Sequence, residues 1–165
     1  MIYLNALEFL DEERDAWQPF EALDGLTDEE LARSCPAAGG WSGRDLMGHL
    51  LAWLENALTV ARELAVGERS ATMSRSDIEW AARGGEAINA ELLERFRAIP
   101  LAELRSRYRS VPGELRGTLT VIPESRWLKH PDHLRWILDE TLDHYADHRS
   151  DLDAILGQAA ADTAR

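Results

Sequence analysis

The stretch WSGRDLMGHL at residues 41–50 combines the start of a helix with a histidine on the apolar side of that helix. Ser42 is a favourable N-cap residue, and Asp45, three positions later, can return a hydrogen bond and suits the positive end of a helix. Apolar residues then recur at helical spacing to about Leu64, and His49 lies within their stripe. The stretch therefore predicts a long amphipathic helix with an inward-facing imidazole.

Helical spacing also dominates the rest of the chain, in the predicted segments 3–23, 27–34, 76–98, 101–122 and 131–156. Gly84 and Gly85 should weaken or kink the third of these, and Pro112 should kink or break the fourth. Gly157 should stop the last helix. No sustained alternation or hairpin turn indicates a strand, so the predicted fold class is all-α.

Length and composition favour one globular domain, because the chain has 165 residues and 45% of them are apolar. We expect a single helical bundle over residues 1–158 and a frayed tail over 159–165. A net charge of -12 disfavours binding to nucleic acid or to anionic membranes. The acidic stretch 1–13 lacks the pattern of a signal peptide, and the single Cys35 fits a reducing compartment, so a cytoplasmic location is predicted.

His144 and His148 stand four residues apart in the last predicted helix, so both imidazoles lie on one face. Together with His49 they could bind one metal ion. Three protein ligands leave a coordination position open, as in catalytic rather than structural sites. Neutral imidazole suits zinc, nickel, iron or copper, and the spacing does not choose among them.

Each of these signals alone has a plainer interpretation. A histidine pair at this spacing is more often a solvated surface pair, and His49 alone is more often a satisfied core residue. The combination favours the metal, because a core histidine near Trp53 needs a polar partner. His133 stands eleven residues before His144, roughly 16 Å along a helix, so it and His130 are excluded from the site.

Three further residues are candidates for the surroundings of the metal. Asp45 and Glu140 each stand one turn before a candidate ligand and could orient its imidazole, although a solvated carboxylate is the alternative. Trp53 could line a substrate pocket, as could Trp41, Trp80 and Trp136, although core packing is the alternative for each. Cys35 has no evident base beside it and is not predicted to be a nucleophile.

The chain resembles the DinB-like superfamily, which includes the N-terminal domain of mycothiol-dependent maleylpyruvate isomerases and the bacillithiol transferases. Residues 41–50 match its W-S-x-x-D-x-x-x-H-L signature, and the pair His144 and His148 matches its closing HxxxH. The segments 77–80 and 97–101, with Asn89, are also similar to the ClbS/DfsB branch. The resemblance covers nearly the whole chain in order and spacing.

The resemblance implies a four-helix bundle with an extra helix, residues 76–98, in the long crossover between the second and third main helices. It also implies a metal triad of His49, His144 and His148 holding a divalent ion, zinc or nickel, with a low-molecular-weight thiol as a further cofactor. The implied function is a thiol S-transferase of the mycothiol or bacillithiol type, or a hydrolase, acting on a small electrophilic molecule. A non-catalytic small-molecule binding or resistance protein of the ClbS/DfsB type is the alternative, since ClbS itself lacks the triad. A homodimer is expected.

Overall fold

The computed structural model describes residues 3–163, and within them it is helical, with no β-strand and one isolated bridge between Ser34 and Ser42. The all-α prediction is confirmed. No helix in this range is both long and apolar enough to cross a membrane. The α-helices are α1 (Ala6–Trp17), α2 (Asp28–Ala32), α3 (Gly43–Val66), α4 (Ala71–Arg83), α5 (Gly85–Arg97), α6 (Leu101–Val121), α7 (Pro131–Glu140), α8 (Leu142–Asp147) and α9 (Arg149–Thr163), with 3-10 segments at Gln18–Gly25, Pro36–Ala38 and Glu124–Arg126.

Helix α3 is the centre of the bundle and begins as the sequence predicts. The Ser42 hydroxyl accepts from the Asp45 backbone N–H at 3.1 Å, and the Ser42 backbone N–H donates to the Asp45 carboxylate at 3.0 Å. The helix packs most extensively against α6 and α5. A Cβ atom at Gly48 would lie 2.9 Å from the Phe96 Cβ, so glycine permits the close approach of α3 and α5.

Helices α1, α3, α6 and the succession α7 to α9 all contribute to one hydrophobic core. Its aromatic centre joins Trp17 to Phe20, Tyr108 and Tyr145, with ring centroids 4.9–5.8 Å from Trp17. Because burial of large aromatic side chains supplies much of a core's stability, this centre fixes the position of α8, which carries Tyr145.

The crossover between α3 and α6 contains two helices instead of the single weakened helix predicted over residues 76–98. Helix α4 already begins at Ala71, because the Ser70 hydroxyl caps it by accepting from the Met73 backbone N–H at 3.0 Å. The helical part of the crossover therefore begins before residue 76, where the sequence predicted its start. Gly84, with φ at 77°, separates α4 from α5, a conformation that glycine adopts without strain.

Two other predicted helices differ from the structure. The first begins at Ala6, behind an Asn5 cap, and ends at Trp17, where the chain tightens into a 3-10 segment with proline in its first turn. Helix α6 continues through Pro112 without the predicted break. Its extensive packing against α3 outweighs the one backbone hydrogen bond that proline removes.

The last predicted helix, 131–156, is three helices. Thr141 leaves the helical conformation with φ -123° and ψ -95°, and its buried hydroxyl donates to the Ile137 carbonyl at 2.6 Å. The predicted stop at Gly157 is wrong, since this glycine lacks a positive φ and α9 continues to Thr163. The tail that was predicted to be frayed from residue 159 onwards is therefore helical as far as Thr163. Residues 1–2 of the predicted domain and 164–165 of the predicted tail lie outside the described residues.

Candidate metal centre

The structure brings His49 from α3 together with His144 from α8 and with His148, which follows α8 directly. One ring nitrogen from each of the three lies within 4.8 Å of the others. The Nε2 atoms of His49 and His144 are 2.9 Å apart, and the three ring centroids are 4.7–4.9 Å apart in pairs. We call these three residues the histidine cluster. It joins positions 95 residues apart in the chain.

The backbone around His144 and His148 explains how both rings reach His49. The His148 backbone N–H donates to the His144 carbonyl at 3.2 Å, so the two residues stay one turn apart although α8 ends between them. On the neighbouring position of α8, Tyr145 is buried in the aromatic core. Because successive residues of a helix project about 100° apart, anchoring of Tyr145 in the core directs His144 to a different side of α8.

Two imidazoles of the cluster, those of His49 and His144, are held in the neutral form. Burial, and then the proximity of His144 and His148, lower the pKa of His49 to about 2. Burial, and then His148, lower the pKa of His144 to about 3. A neutral imidazole has a free lone pair on one nitrogen, which is the state that binds a metal ion.

The donor set fits a divalent metal ion. His49 is 3% exposed, and its Nδ1 has no hydrogen-bond partner in the part of the chain that is described. The His148 Nδ1 lies 2.8 Å from the Asp151 carboxylate. When that nitrogen carries the proton and donates to Asp151, the Nε2 lone pair of His148 is left for the metal. Three imidazole nitrogens with one oriented by a carboxylate are typical of zinc and related ions.

Asp151 was missed in the sequence, although its spacing of three residues after His148 on a helix was a usable signal. Asp45, a candidate for orienting the His49 ring, has other partners. Its carboxylate accepts from the Ser42 backbone N–H and, at 2.8 Å, from the Arg97 guanidinium. It therefore acts on the start of α3, and no hydrogen bond joins it to His49.

A cavity of about 670 Å³ opens beside His144 and His148. Trp53 lines it, and the Trp53 indole donates to the Asn89 side-chain oxygen at 3.2 Å. Glu140 also lines the cavity, where burial, and then the charges of Asp139 and Asp77, raise its pKa to about 8. No hydrogen bond joins Glu140 to His144 within residues 3–163, so Glu140 is a cavity residue rather than an observed partner of the ring.

The family model for the mycothiol maleylpyruvate isomerase N-terminal domain matches residues 10–152. The chain belongs to this family. It is a DinB-like superfamily domain, as the sequence resemblance indicated, and the match includes every member of the histidine cluster. No curated protein and no solved structure matches the chain at a significant level.

In this family member, His130 and His133 form a separate pair that contributes nothing to the cluster. Their rings stack with centroids 3.8 Å apart, and His130 caps the start of α7. The His133 Nδ1 lies 2.5 Å from the Arg126 carbonyl, so this buried imidazole has a protein partner. The histidine cluster is the only group of potential ligands of this kind within the described residues.

Proposed function

We propose that this family member is a metal-dependent thiol S-transferase, or a hydrolase using the same centre, with His49, His144 and His148 holding zinc or nickel. The observation that supports it is the meeting of three imidazoles at the edge of a cavity, with the rings of His49 and His144 held neutral. When bound, the metal would stabilise a thiolate or lower the pKa of a water, because three protein ligands leave a position open.

The co-substrate proposed is a low-molecular-weight thiol of the mycothiol type, and the second substrate is a small electrophile. The family description, which names mycothiol, favours thiol transfer over hydrolysis. Asp151 would fix the ring of His148, as its 2.8 Å contact indicates. Glu140, with a pKa of about 8, holds a proton at neutral pH inside the cavity and can exchange it there.

The test uses zinc-loaded protein, mycothiol and monobromobimane. Thiol transfer forms the carbon–sulfur bond of the thioether and releases bromide and the thiol proton. The wild type should accelerate thioether formation, and His144→Ala should abolish the acceleration. His133→Ala, which removes a buried histidine outside the cluster, is the control and should keep it. Equal rates for the wild type and His144→Ala would refute the proposal, and turnover of 4-nitrophenyl acetate without thiol would favour the hydrolase.

A non-catalytic binding or resistance protein of the ClbS/DfsB type is the second candidate. The observation that favours it is the indole-lined wall of the cavity, formed by Trp53, Trp80 and Trp136. Such a protein would bind an apolar small molecule one to one and release it unchanged. Multiple turnovers of thiol adduct per chain would exclude this as the main role.

We also propose a homodimer and a cytoplasmic location. Leu4 and Leu7 are 78% and 68% exposed at the start of the bundle, and Val121 is 70% exposed at the end of α6. Large exposed apolar side chains favour burial against another chain. Sedimentation that shows only monomer at micromolar concentration would refute the dimer.

The single Cys35 supports the cytoplasmic location, which localisation of a tagged chain would test.

A further inference from the structure

The cavity beside the histidine cluster has a strongly acidic lining. Its carboxylates come from Asp77, Asp139, Glu140, Asp143 and Asp147. Arg135 also lines it, but its guanidinium is already paired with Asp139 and, at 3.0 Å, with Asp143. The one arginine of the lining therefore has little capacity left to attract an anionic ligand.

Three of these carboxylates have no ion-pair partner anywhere in residues 3–163: Asp77, Glu140 and Asp147. A divalent ion in the histidine cluster and Arg135 together would supply fewer positive charges than the lining has carboxylates. The lining stays net negative even when Glu140 holds a proton. An anionic substrate entering this cavity would meet repulsion, and a cation would be attracted.

Indole rings form the apolar wall of the same cavity. Trp53 and Trp136 are almost fully buried, whereas Trp80, which also lines the cavity, is 49% exposed. The rings of Trp53 and Trp80 meet edge to face with centroids 5.8 Å apart. Faces of tryptophan attract ammonium groups more strongly than those of other aromatic residues, and aromatic cages bind quaternary ammonium ions.

The acidic lining is local, although the whole chain carries a net charge of -12. A neighbouring cavity of about 330 Å³, which shares Trp53 and Ser76 with the first, is lined by Arg75 and Arg95 as well as by two glutamates. Negative lining is thus a property of the cavity that faces the histidine cluster, rather than of every depression on this surface.

We propose that the substrate of the histidine-cluster cavity is cationic, an amine or quaternary ammonium with an apolar or aromatic body. This rests on the proposed function only in placing the substrate at that cavity. The carboxylates supply long-range attraction and the indoles supply short-range contact with the cation. A volume of about 670 Å³ is large enough for such a molecule. Di-acids and other anions are disfavoured as substrates.

The test compares three probes of one size: phenethyltrimethylammonium, 2-phenylethanol and 3-phenylpropionate. The quaternary ammonium cannot coordinate a metal, so its affinity reports charge and aromatic contact alone. Binding is measured by calorimetry at low ionic strength, with both metal-free and zinc-loaded protein. In the metal-free protein the cation should bind about tenfold more tightly than the alcohol, and the carboxylate should bind most weakly.

Two double variants separate cavity charge from overall charge. Asp77→Asn with Asp147→Asn removes two unpaired carboxylates of the lining, and should weaken the cation about fivefold without changing the affinity for the alcohol. Asp15→Asn with Glu68→Gln removes two charges from exposed positions outside the lining, and should change neither affinity.

Equal affinity of the metal-free protein for all three probes would overturn the proposal, as would binding of none of them. Equal loss of cation affinity in the two double variants would overturn it as well, because the attraction would then be general. Preference for the cation in a protein that takes up neither zinc nor nickel would support the cationic substrate and refute the metal-dependent function, so failure of one proposal is distinguishable from failure of the other.

Discussion

Two polar clusters each take one side chain from neighbouring residues of α8, Tyr145 and His144, and they differ in whether protein groups complete them. In the glutamate cluster, Glu13 is fully buried and its carboxylate accepts from the Arg116 guanidinium and from the Tyr145 hydroxyl, both at 2.8 Å. In the histidine cluster, the Nε2 atoms of His49 and His144 face each other at 2.9 Å, and the His49 Nδ1 has no partner within residues 3–163.

The difference separates a structural cluster from a functional one. Glu13 has a charge of opposite sign and a donor for each oxygen, so its burial is compensated inside the protein. The histidine cluster gathers lone pairs, and burial together with the proximity of the rings lowers the pKa of His49 and of His144. A positive ion bound among these nitrogens would supply what the histidine cluster lacks. The comparison therefore predicts that changes in the glutamate cluster reduce stability, whereas changes in the histidine cluster reduce metal binding.

Replacing Glu13 should have the largest effect on stability. Glu13→Ala leaves the Tyr145 hydroxyl buried without its acceptor and Arg116 without its partner, at a cost of about 3–5 kcal/mol in the free energy of unfolding. Urea unfolding of the metal-free protein measures it, with Asp15→Ala at an exposed position of α1 as the control. A loss no larger than that of the control would show that the glutamate cluster is not structural.

Replacing Asp151 should weaken metal binding without preventing it. Asp151→Asn removes the carboxylate beside the His148 Nδ1, and partners of this kind contribute about 10–100-fold to metal affinity. Competition for zinc with a chromophoric chelator measures the loss. Asp153→Asn, on the same helix and paired with Arg149, is the control. Equal zinc affinity of the two variants would contradict a role for Asp151.

The stability of the metal-free protein should decrease as the pH falls from about 6.5 towards 4. The folded pKa values of His49 and His144 lie below the ordinary value of 6.5, so in this range the unfolded chain binds more protons than the folded one. His144→Gln should reduce this slope, and so should His49→Gln. Urea unfolding across pH measures both, and an unaltered slope in His144→Gln would contradict the neutral state of the His144 ring.

Glu140 should change the stability of the folded protein with pH in the direction opposite to that of His49 and His144. Its folded pKa of about 8 lies above the ordinary value of 4.5, so its stabilising contribution is lost as the pH rises through 8. The loss extends over about pH 4.5 to 8, so Glu140→Gln should remove it across that whole range, including the acidic part in which the histidine contribution also changes. The same change of stability between about pH 4.5 and 8 in Glu140→Gln and in the wild type would show that the carboxyl group is not protonated in the cavity.

The smallest effect should be that of His144→Ala on the metal-free protein, a change in unfolding free energy of about 1 kcal/mol or less. The replacement removes a side chain that faces a cavity and relieves the close approach to His49. The measurement is urea unfolding at pH 7 in the presence of a chelator. A loss of unfolding free energy as large as that of Glu13→Ala would show that the histidine cluster is a structural cluster, like the glutamate cluster.

The sequence predicts those parts of the molecule in which local chemistry and tertiary packing agree. Ser42 and Asp45 form the capping box of α3 as their spacing indicates, and the apolar stripe behind them correctly places His49 inside. His144 and His148 remain one turn apart because the backbone bond between them persists. Residues 76–98 are largely helical as predicted, interrupted at Gly84.

The parts that the sequence does not predict depend on contacts between distant segments. The break at Thr141 needs a fully buried threonine and an anchored Tyr145, and helical spacing continues across both. The passage of α6 through Pro112 depends on packing against α3. Asp45 could be assigned to His49 by spacing alone, but Arg97, 52 residues away, binds it instead.

The most direct test of the metal centre is a zinc titration of chelator-stripped protein, followed by calorimetry and thermal unfolding. The wild type and His133→Ala should each bind one zinc per chain and melt at a higher temperature with zinc than without it. His144→Ala should bind zinc more than about 100-fold more weakly and show no such rise. A wild type that takes up no stoichiometric zinc or nickel, or a His144→Ala variant that binds either ion as tightly as the wild type, would contradict the assignment of the histidine cluster as a metal centre.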